Sequence, residues 1–486
     1  MRPTIRFLDE QLIRQIISEA KQLLSTLGIE IQNERVLNML ADHGAQVNKD
    51  ASLVKIGDHL VDKTLKSSPV SFKLYDIYGE ETHHFTENNV YFTPGSAALH
   101  LLDYETKQIR KPTTTDYIQY VKVVNQLPYI ASQSTAFIPA DVHEKISDSY
   151  RLFLSLLFGK KPVVTGTFTI EAFEIMKNLQ IAVRGVPKAL REKPLSIFSC
   201  CPTSPLKWSE TTSQNVIDCG RYGIPVEFIA MPLAGFMAPV TLTGTLIQHT
   251  AETLSGIVIS QLANPGTPVL YGGSPAVFDV RFETTPMGAI ETIMIDCAFN
   301  EIGKYLGLPT QAYISLSDAK QLDAQAGLET SIGATLAALS GINNISGPGM
   351  LDFESCQSLE KLVLDNEICG MTYRLIAGIE PKDDFPSLPI FQELLAEQHL
   401  LIADHTRRHL KQEHYFPGTV IDRANRSRWQ EEGSLTLEQR AHTEVISLLA
   451  SYEPPGMDEK IKEELIKLME NEAKKYGQEK LPERKC

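Results

Sequence analysis

Apolar and polar positions follow two different rhythms along this chain. Between residues 8 and 27, Leu12, Ile16, Ile17, Ala20, Leu23 and Leu24 recur at three- and four-residue spacing. That places them on one stripe of a helix, which Gly28 ends. The chain up to about Lys73 reads as helical, and a short β-rich stretch follows in VSFKLYD and HHFTENNVYFTPG. From Val90 the rhythm changes. Short apolar or β-branched runs occupy 90–93, 130–137, 162–166, 195–199, 225–230, 268–272, 310–315 and 342–346. Helix-length segments follow them in turn, at 117–125, 143–158, 171–183, 214–221, 245–262, 287–306, 324–339 and 358–379. Such alternation predicts parallel βαβ units. Eight of them predict an α/β fold closed as a (β/α)8 TIM barrel, with a doubly wound sheet as the alternative. The expected division is an amino-terminal helical and β-rich extension over 1–89, the barrel over 90–387, and a carboxyl-terminal helical segment with a charged tail over 388–486.

The ends of the strand runs are rich in small residues. Thr93-Pro94-Gly95-Ser96, Gly166-Thr167, Gly272-Gly273-Ser274 and Gly347-Pro348-Gly349 each follow a run. In a barrel they belong to the carboxyl-terminal mouth, where active sites are built. Glycines there let a bulky or planar partner approach the backbone, although Gly and Pro are also ordinary turn residues. In the tail, Ile461, Leu465 and Leu468 form a narrow stripe suited to docking on the body or on a sister subunit; a solvated tail is the alternative.

Composition narrows the partners. The 486 residues carry a net charge of −14, which argues against nucleic acid and anionic membranes. Seven cysteines, scattered apart from Cys200 and Cys201, suit a reducing compartment. The amino terminus has no export signal and no apolar run is long enough to span a bilayer, so a cytoplasmic protein is expected.

Motif chemistry is sparse. There is no His-Glu-x-x-His, His-x-His or Cys-x-x-Cys, and adjacent Cys200 and Cys201 point to opposite sides of an extended segment, so no metal is expected. His83-His84 reads as surface. Phosphate-binding glycine loops and the Gly-x-Ser-x-Gly elbow are also missing. Aromatic residues remain. Trp208, Phe236, Phe278 and Phe353 lie on loops after strands, and Tyr271 and Tyr313 lie in strands near the mouth. Such rings can surround a quaternary ammonium through cation–π contact, or simply pack in the core. Arg281 could hold a substrate carboxylate or pair with Asp279 or Glu283. Asp318, Asp323 and Glu329 could serve a lyase or decarboxylase, or cap the helix that starts near Gln321. A betaine-binding protein is a third reading.

Three segments carry a family resemblance: GSAALHLLDYETKQIRKPTTTDYIQYVKVVNQLPYI, MPLAGFMAPVTLTGTLIQHTAETLSGIVISQLANPGTPVLYGGSPAVFDVR and SDAKQLDAQAGLETSIGATLAALSG. Together they resemble the trimethylamine:corrinoid methyltransferase family, in order from about Ser18 to Ile379. Family members that use trimethylamine carry pyrrolysine, whereas this sequence consists of standard residues throughout. It therefore resembles the non-pyrrolysine branch, whose members demethylate quaternary amines such as glycine betaine, proline betaine, carnitine or γ-butyrobetaine. The run GINNISGPGML departs from the more polar sequence of trimethylamine-type members. The resemblance implies no permanently bound cofactor and a corrinoid supplied by a separate protein. The expected partners are thus a small quaternary amine, a corrinoid protein and further copies of this chain. Trp208, Phe236, Tyr271, Tyr313 and Phe353 are the expected pool for a cation cage, with Arg281 as a possible carboxylate anchor. Gly272, Gly273, Ser274, Gly347 and Gly349 are expected to line the face that meets the corrinoid.

Overall fold

Each of the eight apolar runs contains a parallel strand. In the computed structural model, which describes residues 2–484, they are β1 (Tyr91–Thr93), β2 (Gln133–Ser134), β3 (Val163–Thr165), β4 (Ser196–Cys200), β5 (Val226–Phe228), β6 (Val269–Leu270), β7 (Gln311–Tyr313) and β8 (Asn344–Ser346). Two parallel sheets form from them, ordered β6-β5-β4-β3-β2 and β7-β8-β1. Backbone hydrogen bonds also join the sheets at both edges. Tyr271 pairs with Thr310, with Tyr271 N donating to Pro309 O at 2.9 Å and Gln311 N to Tyr271 O at 3.1 Å. At the other edge Ala131 N donates to Phe92 O at 2.8 Å.

Helices follow the strands as the periodicity predicts, including Ala172–Arg184, Leu242–Ala263, Ile290–Tyr305, Ala324–Ser340 and Leu359–Ile376. Local chemistry sets their ends. Thr113 and Asp116 form a reciprocal capping box at the start of Thr114–Gln126, and Gly341 ends Ala324–Ser340 in the left-handed conformation.

Side chains alternate along a strand, so each strand has an inner residue and outer neighbours that meet the helices. Val164, Ile197 and Leu270 point inward and pack against Phe72, Leu74 and Phe85. Those three come from an antiparallel hairpin, Phe72–Tyr75 with Glu81–Phe85, which fills the amino-terminal part of the inner face. Polar inner residues lie beyond it, toward the strands' carboxyl ends. His83 on this hairpin is buried, with Nδ1 beside Thr82 Oγ1 at 2.8 Å and Nε2 beside Ser132 Oγ at 3.0 Å. The expected surface position for it is therefore corrected.

The amino-terminal segment is more mixed than its helical stripe predicts. Helices Glu10–Thr26, Glu34–Asp42 and Asp58–Ser67 alternate with short strands, of which Ile29–Ile31 pairs with Lys207–Trp208. All three helices pack on helix Leu242–Ala263. That helix is consequently buried at every residue from Gln248 to Gln261. Near the carboxyl terminus, helix Glu459–Lys475 buries Leu465 and Met469 and packs against Ser147–Phe158 and Ala172–Arg184. Its stripe thus docks on the body. None of the described helices is long and apolar enough to cross a membrane.

Candidate active site

The run IPVEFIA places a charged residue in the middle of a buried strand. On β5, Val226 and Phe228 face the helices, so Glu227 faces inward. Ser199 Oγ of β4 donates to its carboxylate at 2.7 Å, and Asn344 Nδ2 of β8 donates at 3.1 Å. Thr93 Oγ1 of β1 donates in turn to Asn344 Oδ1 at 2.8 Å. Three strands thereby place polar groups around a carboxyl that a fourth supplies. Burial raises its pKa to about 7, and the two hydrogen bonds only partly oppose the rise.

A second carboxyl comes from the loop after β8. Asp352, Phe353 and Glu354 have φ of 51°, 55° and 69°, three consecutive non-glycine residues in the left-handed region. Such a conformation costs about 1–2 kcal/mol per residue and persists only where the surroundings impose it. It sets Glu354 Oε1 to accept from Ser96 N at 3.3 Å. Ser96 Oγ lies 3.1 Å from the Tyr313 hydroxyl of β7. Burial, with a smaller push from Glu227, raises the Glu354 pKa to about 8. Burial also raises Tyr313 and Cys201, and both feel the two carboxylates. Among the described residues no ion pair reaches Glu227 or Glu354 from a lysine, arginine or histidine. The site is therefore acidic and ringed by hydroxyls and amides, with both carboxyl pKa values raised by burial.

The expected aromatic residues do not converge here. Tyr313 faces the site. Phe353 sits one residue before Glu354, with Lys320 Nζ 3.8 Å from its ring centroid. Tyr271 follows inward-facing Leu270, so alternation turns it outward; its hydroxyl donates to Thr250 Oγ1 at 3.0 Å in the helix layer. Trp208 is fully buried, donates to Ser255 Oγ at 2.9 Å, and meets Phe228 edge-on. Both depart from the expected cage for the same reason: they pack behind the sheet. Phe236 stacks on Phe278 at 4.8 Å and is 65% exposed, on the loops after β5 and β6. Among the described residues no ring contact joins any two of the five. Arg281 is exposed and holds Asp279 through Nε at 3.0 Å and Nη2 at 2.6 Å.

The loops expected to meet the corrinoid are closely packed. Gly272, Gly273, Ser274, Gly347 and Gly349 are all buried. A Cβ on Gly272 would meet Gln311 Oε1 at 2.5 Å, one on Gly347 would meet the Ser315 backbone at 2.7 Å, and those on Gly273 and Gly349 would meet His249 and Gln357. Close packing of strand ends on their own neighbours requires small residues here.

The carboxylates weighed for a lyase are occupied. Asp323 caps helix Ala324–Ser340, accepting from Gln325 N and Ala326 N. Asp318 accepts from Met287 N and Gly288 N at 2.9 and 2.8 Å, and Glu329 accepts from Ser317 Oγ and Asp318 N at 2.6 and 2.8 Å. They tie loops together. The alternation rule applied strand by strand could have found Glu227; nothing local in the sequence marks Glu354, whose position depends on the loop's left-handed turn.

A family model described as trimethylamine methyltransferase (MTTB) matches residues 1–477. The chain belongs to the trimethylamine methyltransferase family. It is a methyltransferase. Among its relatives, the trimethylamine methyltransferase MttB of Desulfitobacterium hafniense is 29% identical over 471 residues, covering 97% of this chain and 94% of the relative. The glycine betaine methyltransferase of Desulfitobacterium hafniense is 28% identical over 479 residues, covering 98% and 99%. The trimethylamine methyltransferase MttB of Methanosarcina thermophila is 30% identical over 470 residues, covering 93% and 94%. In three dimensions the chain resembles the Methanosarcina barkeri monomethylamine methyltransferase MtmB, with a TM-score of 0.54 at 11% identity, over 99% of this chain and 90% of that one. That likeness is one of fold.

Proposed function

We propose that this methyltransferase moves a methyl group from a quaternary amine of the betaine type to a corrinoid carried by a separate protein. The supporting observation is the inner acidic site: the buried Glu227 and half-buried Glu354 carboxyls near Tyr313, with no basic side chain paired to them among the described residues. Carboxyl groups without a basic partner favour a cation beside them. The glycine betaine methyltransferase, matched along nearly its whole length, agrees with a quaternary substrate. In this reading residues 90–387 form a closed (β/α)8 barrel, supported by the hydrogen bonds at both sheet edges, and the site lies at its carboxyl-terminal mouth.

Co(I) of the partner's corrinoid supplies the nucleophile that accepts the methyl group. The leaving group is a neutral tertiary amine, which keeps the bonding electron pair, so the residues need not donate a proton. Their task is to hold the ammonium and aim one methyl outward. Glu227 and Glu354 attract the cation as it enters. Burial raises the pKa of both carboxyls, and an entering cation favours their ionised form. Tyr313 supplies a ring face for the N-methyl groups, a contact worth about 0.5–2 kcal/mol.

The test is methylation of a reduced corrinoid protein, followed as conversion of Co(I) to methyl-Co(III) in the visible spectrum. The panel is glycine betaine, proline betaine, carnitine, γ-butyrobetaine and trimethylamine. Turnover of a betaine supports the proposal; turnover of trimethylamine alone removes the betaine assignment.

A further inference from the structure

Outside the inner site, the described residues contain one group with metal-ligand spacing, and it lies on the carboxyl-terminal segment. Helix Asp404–Glu413 carries His405 and His409 one turn apart on the same face, their rings 5.0 Å apart. Asp383, on the preceding loop, places Oδ1 2.7 Å from His409 Nε2 and 3.5 Å from His405 Nε2. Asp384 Oδ1 lies 3.8 Å from the same His405 nitrogen. Arg408 Nη2 holds the other oxygen of Asp383 at 2.6 Å, which fixes the carboxylate's orientation and leaves Oδ1 toward the histidines.

We propose that Asp383, His405 and His409 bind a divalent transition cation of the zinc type, with Asp384 or water as a fourth ligand. Two imidazoles and a carboxylate are a donor set that zinc accepts, at about 2.0–2.2 Å from each ligand atom. The three ligand atoms already lie within 4.8 Å of one another, so a tetrahedral ion requires only side-chain adjustment. His409 Nδ1 has no hydrogen-bond partner, so it can carry the ring proton while Nε2, now 2.7 Å from Asp383 Oδ1, turns to the ion.

The bound ion would act as a clip. Between Asp383 and His405 lies helix Leu388–Glu397, which buries none of its residues and exposes Leu388, Phe391 and Leu395. Little packing holds this stretch, and an ion joining its two ends shortens the free loop.

The experiment uses the full chain, stripped with chelator and titrated with Zn²⁺ by calorimetry and with Co²⁺ by its visible ligand-field absorption. One equivalent of zinc should bind, and the affinity should fall at least tenfold in His405→Ala and in His409→Ala, as expected for loss of a ligand. Zinc should also slow proteolytic cleavage within residues 384–404 of the wild type but not of the variants. Thermal unfolding in the absence of metal should be alike in all three proteins. The proposal is overturned if the wild type binds no zinc, if both variants retain its affinity, or if zinc protects the variants equally.

Discussion

Asn344 on β8 donates its side-chain amide to Glu227 on β5 at 3.1 Å, joining two strands that share no ladder. The contact spans the inner face and fixes the amide's orientation, since Thr93 Oγ1 takes the opposite end of Asn344. Glu227→Gln preserves size and can keep both bonds, because the Ser199 hydroxyl can turn to accept. Betaine-dependent methyl transfer should fall at least tenfold, because a pairwise charge interaction with the cation is lost. Stability should move the other way. The folded pKa is raised from 4.5 to about 7, so wild-type stability falls as pH climbs through that range. The Gln variant should therefore be more stable at pH 8, by up to roughly 3 kcal/mol, with the gap closing toward pH 5. Denaturant titrations at the two pH values check this. An equal gap at both would mean that Glu227 is not held protonated.

Asp296 offers an independent test of buried charge. It is fully enclosed on helix Ile290–Tyr305, neither of its carboxyl oxygens has a hydrogen-bond partner, and burial drives its pKa well above 3.8. Folding thus favours its protonated form and is penalised as pH rises above the unfolded value. Asp296→Asn should stabilise the protein at pH 8 and do little near pH 4, while methyl transfer stays unchanged.

Glycine substitutions should separate packing from conformational cost. Gly347 has φ of 134°, and an added Cβ would run into the Ser315 backbone. Gly347→Ala should cost more than about 3 kcal/mol, combining overpacking with strain. Gly266 has φ of 86° but nothing within 4 Å, so Gly266→Ala should cost only about 1 kcal/mol. Melting temperatures of the pair provide the comparison.

Arg281→Ala should change stability by less than about 0.5 kcal/mol, since its pair with Asp279 is exposed. Rates with betaine and with choline decide whether the guanidinium also meets substrate. An equal ratio in wild type and variant assigns it only to Asp279; a loss confined to betaine makes it the carboxylate anchor.

The layout of β1 to β8 and their helices was legible because parallel strands buried on both faces write themselves as short apolar runs. The site was less so. A mouth reading based on where strands end treated Tyr271 like Tyr313, yet one residue of alternation turns the first outward and the second inward. For the glycines after strands, sequence shows the missing side chain and not the Gln311 or His249 that lies against Gly272 or Gly273. His405 and His409 escaped a search for His-x-His and His-Glu-x-x-His, because their spacing becomes a cluster only when a helix and the distant Asp383 meet. Glu354 depends on three left-handed residues that have no glycine to announce them.

The docking of helix Glu10–Thr26 on helix Leu242–Ala263 also has a timetable. At a synthesis rate of about 5–20 residues per second, the ribosome needs roughly 10–40 s to travel from the first helix to the second. Throughout that interval Ile13, Ile16, Ile17, Ala20 and Leu24 lack the cover that helix Leu242–Ala263 gives them. The nascent chain must therefore carry an apolar stripe that chaperones, or another nascent copy, can reach before its own partner has been made.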